Sequence, residues 1–332
     1  MRLTYVLPFP ELNGGNKVVA LHAALLTRGG HEVTVLGEGE RPPWFPPEVR
    51  YLDSRSSPNP PSQDLVVATY WTTIVAAQRL ECGPSAHFCQ GFEGDLPHMA
   101  PQLPAIEQVY SMPIPLLTVT AALGERLGGR FARPFRVTPP NLDRRFSPRL
   151  RLGPGRRPLV IVPGIFESEV KDVPTALRAL GRLRAEGLAV RLLRLSILPL
   201  SNAERELFEP DAYFHGISPE EVARHFRRAD LLILPSLPGE GFGLPLLEAM
   251  AAGVPAVASR LPATEWMAQG AAELVTPGDV DGFAAAAGRL LREGSSWRAA
   301  RRRGLVAAEQ FSDERVGPEI ERALAWAATA RW

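Results

Sequence analysis

Residues 238–253 read Pro238-Gly-Glu240-Gly-Phe-Gly-Leu-Pro-Leu-Leu-Glu248-Ala-Met-Ala-Ala-Gly253, with seven residues between the two glutamates. The short apolar runs before and after it, 230–234 and 254–258, are typical of buried parallel strands. The stretch between them is therefore predicted to form a glycine-rich loop and a short helix. In open α/β sheets, ligands bind beyond the carboxyl ends of the strands, and a helix N-terminus there offers N–H groups to an anion. A diphosphate would suit this place.

Short apolar runs alternate with helix-period segments throughout the chain, a rhythm typical of βα units around a parallel sheet. The stretch 139–158 is rich in Pro, Gly and Arg and is the predicted linker. A second alternating set follows it, with a helix predicted at 173–185. The segments 41–61 and 91–115 show no clear periodicity and are predicted to be long loops.

This organisation predicts an α/β protein with two Rossmann-like domains. The first would span 1–150 and the second 151–313, with a C-terminal helix, 314–332, packing back on the first. The 332 residues are enough for two separate cores of this size. The hydrophobic share of 45% and the charged share of 22% are those of an ordinary soluble globular protein.

Charge and cysteine content exclude several classes of protein. A net charge of +1 gives no overall field that would gather nucleic acid. Cys82 and Cys89 cannot form a disulfide framework. No segment approaches the length of a membrane span, and the chain starts directly with a predicted strand. We therefore expect a cytoplasmic protein, with at most peripheral contact at the inner face of a membrane.

Gly14 and Gly15 follow the first predicted strand and precede a helix. Glycines at this place let the backbone approach a ligand closely. The pattern is not the GxGxxG fingerprint, and no acidic residue follows at the spacing expected for a nicotinamide ribose. A turn that merely requires glycine explains this motif equally well.

Several of these features together resemble one family. They are the glycine pair at 14–15, Arg28-Gly-Gly-His31 before the second strand, Pro140-Asn141-Leu-Asp143 at the domain junction, and above all the block 234–253. This pattern is similar to the retaining glycosyltransferases of family 4. The resemblance implies the GT-B architecture, in which two Rossmann-like domains with parallel sheets face each other across a cleft.

The resemblance also implies roles for the residues of the two-glutamate block. Glu248 would hold the ribose hydroxyls of a sugar nucleotide, since a carboxylate accepts two vicinal hydroxyl protons. Glu240 would face the donor sugar. Backbone groups of the donor site would come from Gly241, Phe242, Gly243, Leu244, Gly164 and Gly216. An ordinary first-turn glutamate is the alternative for Glu248.

Lys171 matches the family lysine that neutralises the diphosphate and would stabilise charge on the leaving nucleotide. Lysine occurs elsewhere in this chain only at Lys17. The family's arginine after the glycine of the preceding strand is absent, because Gly164 is followed by Ile165, and one extra residue separates this glycine from Lys171.

The first domain offers three candidates for a residue that assists catalysis. His87 lies inside a short apolar strand, where a histidine is more often a core residue than a catalyst. Gln90 occupies the end of that strand, where many relatives have a histidine, and Glu93 follows it. We rank Gln90 and Glu93 at least level with His87. Gly14 and Gly15 would contribute to an acceptor or phosphate loop.

The sequence thus predicts a retaining glycosyltransferase that moves a sugar from a nucleoside diphosphate sugar to an acceptor hydroxyl. The acceptor would be a glycan, a lipid-linked molecule or a small molecule, and the pathway one of glycan, glycolipid or natural-product biosynthesis. No cofactor, metal or nucleic acid is expected, and the oligomeric state is open. Alternatives are a sugar-nucleotide epimerase, a phosphorylase, or a non-catalytic sugar-nucleotide-binding subunit.

Overall fold

A computed structural model describes residues 1–56 and 60–330 of the chain. It divides into two compact units, Met1–Asn141 with Phe311–Trp332, and Leu142–Gln310. Each unit contains one parallel sheet, of seven and six strands respectively. The predicted fold class of two parallel-sheet α/β domains is confirmed. The donor and acceptor roles assigned to 151–313 and 1–150 remain predictions.

The first unit alternates strands and helices. Its elements are β1 Arg2–Val6, α1 Gly14–Arg28, β2 Glu32–Gly37, β3 Arg50–Asp53, β4 Leu65–Ala68, α2 Trp71–Arg79, β5 Ser85–Cys89, α3 Leu103–Tyr110, β6 Leu116–Thr118, α4 Ala121–Phe131 and β7 Phe135–Val137. The strand order is β3-β2-β1-β4-β5-β6-β7. The chain therefore builds outward from β1 in one direction and then returns to add β4 on its other side.

The second unit repeats this plan. Its elements are β8 Leu159–Pro163, α5 Val173–Ala185, β9 Arg191–Ser196, α6 Asn202–Leu207, β10 Ala212–His215, α7 Pro219–Phe226, β11 Leu231–Leu234, α8 Leu244–Ala251, β12 Ala256–Ser259, α9 Pro262–Ala268, β13 Glu273–Val275, α10 Val280–Arg292 and α11 Gly294–Glu309. The strand order is β10-β9-β8-β11-β12-β13. Its core is formed by β8 and β11 with α5 and α10, where Leu177, Leu180 and Phe283 are fully buried.

The last helix, α12, spans Asp313–Thr329 and packs against α1 and β5–β7 of the first unit. Of the predicted helix 314–332, Arg331 and Trp332 lie outside the described residues. Residues 1–56 and 60–330 include no helix that combines the length and the apolar character needed to cross a bilayer. The cytoplasmic location remains a prediction.

Two segments predicted to be loops contain regular structure. The segment 91–115 folds into short 3₁₀ turns and the helix α3, whose Ile106 and Tyr110 are fully buried. The prolines of this segment had obscured its helical period, although proline is well tolerated in a first helical turn. The segment 41–61 contains β3, while its residues 57–59 lie outside the described part of the chain.

Asp230, immediately before β11, connects the start of the second unit to its sheet. Its buried carboxylate pairs with Arg151 and accepts hydrogen bonds from the backbone N–H of Gly155 at 3.0 Å and of Leu159 at 2.7 Å. Its carbonyl oxygen accepts a hydrogen bond from the fully buried indole of Trp297 at 2.7 Å. The side chain therefore holds the strand entrance of β8 in register with β11.

Replacement of Asp230 by alanine tests this function. Asp230→Ala leaves two backbone donors and the Arg151 guanidinium without their acceptor, so we expect the free energy of unfolding to fall by about 3 kcal/mol. Asp281→Ala is the matched control, because Asp281 pairs with Arg182 at the surface with 71% of its side chain exposed. It should change stability by less than about 1 kcal/mol. Urea unfolding followed by circular dichroism measures both, and equal losses would contradict the assignment.

Candidate functional site

The strand order of the second unit reverses between β8 and β11. After β8 the chain adds β9 and β10 on one side, and β11 then pairs with the other side of β8. The loops that leave the carboxyl ends of β8 and β11 consequently run in opposite directions and open a crevice between them, which is where open α/β sheets bind ligands. The two loops are joined by the backbone N–H of Leu237, which donates to the carbonyl oxygen of Val170 at 2.8 Å.

Lys171 and Glu240 meet at this reversal point. The ammonium Nζ of Lys171, after β8, lies 2.6 Å from Oε2 of Glu240, after β11. The hydroxyl of Ser236 donates to the same oxygen at 3.0 Å. Burial by itself would raise the pKa of Glu240, but the charge and hydrogen bond of Lys171, with hydrogen bonds from Ser236 and the Gly243 backbone, hold that pKa below its ordinary value. Glu240 is therefore a carboxylate at neutral pH.

The Lys171 side chain lies along the backbone of Gly164. Gly164 has φ +126°, and a Cβ added there would lie 3.4 Å from Cβ of Lys171. A side chain at this position would be strained by that backbone conformation, and its Cβ would only just contact the lysine stem. About a third of the Lys171 side chain, 32%, is exposed. Of its three N–H donors, one is directed to Glu240, so others are available to a ligand in the crevice.

Arg194, on β9, supports the carboxyl end of β8, and the sequence analysis did not identify it. Its fully buried guanidinium donates to the carbonyl oxygens of Val162 and of Gly164, the latter at 2.8 Å, and pairs with buried Glu204 at 2.5 Å. It therefore stabilises the conformation of the backbone that carries Gly164, and is shielded from any ligand. The signal in the sequence was a single arginine within the apolar run Leu192-Leu-Arg194-Leu195.

The loop 238–243 ends at Gly243, whose left-handed φ of +77° starts the helix α8 at Leu244. Glycine is suited to this conformation. Phe242 is buried and its ring makes an edge contact with Trp266 at 6.1 Å between centroids. Glu248, one turn into α8, is also buried, with 6% of its surface exposed. The two predicted glutamates thus lie on the loop and on the helix that follows β11.

The remaining donor-site candidates lie at different distances from the reversal point. Gly241 belongs to the same half-buried loop as Glu240, and Leu244 is the first residue of α8. Gly216 follows β10, two strands away from β8, and is exposed with φ +60°. The structure therefore groups Lys171, Gly164 and the 240–248 block, and places Gly216 farther along the same edge of the sheet.

In the first unit, Gly14 and Gly15 form the first turn of α1 and not a turn before it. Asn13 is the N-cap, and its side chain accepts a hydrogen bond from the Asn16 backbone. The amide Nε2 of Gln90, after β5, donates to the carbonyl oxygen of Gly15 at 3.1 Å. The helix N-terminus after β1 and the end of β5 are thereby held together at the carboxyl edge of the sheet.

Glu93 holds two parts of the same edge together. Its carboxylate accepts a hydrogen bond from the Tyr110 hydroxyl at 2.5 Å and from the backbone N–H of Trp71, at the start of α2, at 3.3 Å. Burial raises the pKa of Glu93, although both hydrogen bonds oppose the rise. Because only 8% of Glu93 is exposed, its present contacts are structural.

His87 lies inside the core of the first unit. None of its surface is exposed, and its ring makes an edge contact with Tyr110 at 5.0 Å between centroids. Neither ring nitrogen has a hydrogen-bond partner. Burial, with a smaller contribution from the charge of Arg133, lowers the pKa of His87 well below its ordinary value. A neutral, enclosed imidazole cannot contact a substrate in this conformation, which leaves Gln90 as the candidate closest to the strand end.

Residues 157–293 match the family described as Glycosyl transferases group 1. This region contains the whole donor-site grouping. The chain is also 37% identical over 189 residues to an MMP alpha-(1->4)-mannosyltransferase of Mycolicibacterium hassiacum, a match that covers 53% of this chain and 45% of the relative. The chain thus spans less than half the length of this relative. Both matched descriptions name glycosyl transfer.

Solved structures establish the fold over nearly the whole chain. Sucrose-phosphate synthase from Thermosynechococcus elongatus superposes with a TM-score of 0.76 at 18% identity, covering 97% of this chain and 98% of the other. The Anabaena protein HepE, solved in complex with UDP-glucose, gives 0.76 at 14% identity, covering 98% and 99%. The chain therefore has the GT-B fold. The two-glutamate motif and the individual site residues remain predictions.

Among the described residues, no group of three or more His, Cys, Asp or Glu side chains is arranged to hold a metal ion. In the part of the chain that the structure describes, Lys171 and Glu240 form an ion pair at the reversal point. That the reaction requires neither a metal nor a cofactor remains a prediction.

Replacing Lys171 by methionine tests the electrostatics of the pair. Burial raises the pKa of Glu240, and in Lys171→Met only the hydrogen bonds from Ser236 and the Gly243 backbone lower it. We therefore expect the pKa of Glu240 in this variant to rise above its ordinary value. In the wild type, the lowered pKa of Glu240 contributes to the free energy of unfolding at neutral pH. This contribution is lost as the pH falls through the pKa of the folded state. In the variant, ionisation is unfavourable, and stability should instead increase as the pH falls.

Carbon-detected NMR titration of the glutamate carboxyl groups measures this pKa, with Glu240→Gln for assignment. Ser236→Ala is the matched control, since it removes one neutral hydrogen bond and keeps the cation, and should raise the pKa less. Equal shifts in the two variants would show that Lys171 does not set the charge of Glu240.

Proposed function

We propose that the protein is a retaining glycosyltransferase that uses a nucleoside diphosphate sugar as donor. The bond between the anomeric carbon and the β-phosphate oxygen breaks, the acceptor hydroxyl oxygen forms the new bond on the same face, and the hydroxyl proton leaves with the nucleoside diphosphate. The match of residues 157–293 to Glycosyl transferases group 1 and the GT-B fold support transfer chemistry.

The observation that carries the proposal is the pairing of Lys171 with Glu240 at the β8/β11 reversal. Charge that develops on the departing diphosphate needs a nearby cation, and a pre-oriented ammonium costs little reorganisation when the reaction occurs. The carboxylate beside it is an acceptor for sugar hydroxyls. One position thus offers complementary groups for the two chemical parts of a sugar nucleotide.

Other groups at the same edge of the sheet would complete the donor site. The N-terminus of α8, with the backbone around Phe242 and Leu244, would offer N–H groups and the positive end of the helix dipole to the diphosphate, while the N–H of Gly243 stays with Glu240. Glu248 would hold the ribose hydroxyls. Gly164 would allow the diphosphate to approach the backbone after β8, since it has no side chain there.

The first unit would bind the acceptor near Gly15 and Gln90, which are joined by a hydrogen bond at the carboxyl edge of its sheet. The amide of Gln90 can donate to and accept from an acceptor hydroxyl, as a sugar or polyol requires. A glycan, lipid-linked or small-molecule acceptor fits this description. Glu93 would act indirectly, by fixing the start of α2.

The donor sugar is proposed to be mannose, because the relative with 37% identity is described as a mannosyltransferase. UDP-glucose is the second candidate, since HepE was solved with that donor. Calorimetric titration with GDP, GDP-mannose, UDP and UDP-glucose separates the two. A ligand that binds the native state also raises the unfolding temperature, so thermal shifts give an independent ranking.

A non-catalytic sugar-nucleotide-binding subunit is the second candidate function. Two observations favour it, namely the enclosed position of His87 and the presence of Ile165 where the family has an arginine. Retention of nucleotide binding without transfer or donor hydrolysis under any acceptor condition would establish this alternative. Consumption of inorganic phosphate, or conversion of the donor without an acceptor, would instead indicate a phosphorylase or an epimerase.

The activity of Glu240→Gln tests the central assignment. The substitution keeps the shape of the side chain and removes the charge that accepts sugar hydroxyls, so we expect transfer to fall by about 10- to 100-fold. Glu221→Gln is the control, because Glu221 closes the capping box of α7 and has no assigned part in the donor site. It should leave the rate unchanged. The measurement is initial-rate transfer with radiolabelled donor, and full activity of Glu240→Gln would remove this residue from the site.

The affinity of Glu248→Ala for nucleotide tests the ribose assignment. Loss of charged hydrogen bonds to two hydroxyls should weaken binding by about 1 to 3 kcal/mol. The deoxyribose form of the same nucleotide provides the control, because the variant should discriminate less between the two forms than the wild type does. An unchanged Kd in calorimetry would show that Glu248 only stabilises α8.

A further inference from the structure

A cavity of about 290 Å³ lies on the second unit, away from the carboxyl edge that carries Lys171 and Glu240. It is formed by residues 147–149, within the predicted linker, and by the last turn of α7 with the residues that follow it. The lining residues are Ser147, Pro148, Arg149, Arg224, Arg227 and Arg228. Four of these six residues are arginines, and no acidic side chain is among them.

Among the described residues, the four arginines differ from their neighbours in forming no ion pair within 4 Å of a carboxylate, although Glu221 lies within electrostatic reach of Arg224. Arg145 pairs with Asp143 and with Glu220, and Arg151 pairs with Asp230. Within residues 1–56 and 60–330, none of the four cavity guanidinium groups forms an ion pair. Four like charges around one small cavity repel one another, so an anion placed between them would relieve that repulsion.

The C-terminal end of α7 accounts for only part of this arrangement. A helix C-terminus carries the equivalent of about half a negative charge and favours cations in its last turn. Arg224 lies in that turn and Arg227 is the C-cap. Half a charge cannot balance four full positive charges, and Arg149 comes from a different segment of the chain. The remaining positive charge is more than helix capping needs and indicates an anionic ligand.

The arginines that line this small cavity match phosphate in particular. Each presents a planar set of donors that binds a phosphate through two hydrogen bonds, and arginine is less strongly hydrated than lysine. Ser147, at the rim, adds a hydroxyl donor. A volume of about 290 Å³ admits a phosphate group together with part of the molecule that carries it.

Two exposed leucines adjoin the cavity in the chain. Leu150 and Leu152 are 89% and 79% exposed, and no other large apolar side chain in the described residues is as exposed. Arg151 between them turns inward to Asp230, which leaves the leucines directed outward. Apolar side chains beside a cationic cluster are typical of surfaces that contact anionic bilayers, where the cations meet headgroups and the apolar groups enter the interface.

We propose that this arginine cavity is a binding site for a phosphate group, with the leucines favouring a phosphate carried by an anionic lipid headgroup. The second unit would then bind to a membrane surface through residues 147–152 and the end of α7. The site is separate from the donor crevice, and phosphate binding there does not depend on glycosyl transfer activity.

Vesicle binding by charge-neutral variants tests the proposal. The test variant is Arg224→Gln/Arg228→Gln, which removes two exposed charges and keeps polar side chains. The matched control is Arg178→Gln/Arg302→Gln, which removes two exposed arginines of α5 and α11 in the same unit. Each protein is sedimented with phosphatidylcholine vesicles that contain phosphatidylglycerol. We expect the partition constant of the test variant to fall about thirtyfold and that of the control to stay near the wild type.

A second arm identifies the source of the phosphate. Calorimetry with inorganic pyrophosphate measures a free ligand, and Leu150→Ser/Leu152→Ser removes the apolar contact without touching the arginines. We expect this leucine variant to bind vesicles more weakly and pyrophosphate normally. Arginine-dependent binding of pyrophosphate with no vesicle binding would keep the phosphate site and overturn the lipid source. Absence of arginine-dependent binding in both arms, with unchanged thermal unfolding of the variants, would overturn the proposal.

Discussion

The parallel pairing of β8 with β11 is the constraint on which the donor half of this protein depends. Leu231 and Leu232 pair with Val160 and Ile161, although more than sixty residues separate the strands in the chain. This pairing brings two unrelated loops to one point, and the contact between Lys171 and Glu240 is its direct result. Neither loop could position its charged group without the other, because each contributes one half of the ion pair.

Buried polar groups stabilise the strand ends near the candidate sites. Arg194 with Glu204 fixes the backbone around Gly164, and Glu93 joins the loop after β5 to the start of α2. Each such group has several partners, as the cost of burying charge requires. Removal of one partner would leave the others unsatisfied, so these groups make the ends of the strands rigid where a ligand would need fixed backbone donors.

Local patterns in the sequence predicted the helices and strands that have strong signals. The helix Val173–Ala185 and the capping box at Ser218 are present as predicted, because each depends on residues close together in the chain. Helix α3 was missed because prolines break its apparent period. The contacts of Arg194 and the contact between Gln90 and Gly15 could not be predicted in full, since both depend on which strands are neighbours. Local periodicity does not show which distant strands pair.

The Lys171–Glu240 ion pair also affects which anions can bind in the crevice. A small anion such as sulfate gains the ammonium only by competing with a carboxylate that already holds it, and, being fully deprotonated at neutral pH, it offers that carboxylate no hydrogen-bond donor in return. A sugar nucleotide brings hydroxyl donors for Glu240 together with phosphate oxygens for Lys171. Each charge of the pair therefore competes with the ligand for the other. Ligands that carry both hydroxyl and phosphate groups are favoured over ligands that carry only one of them.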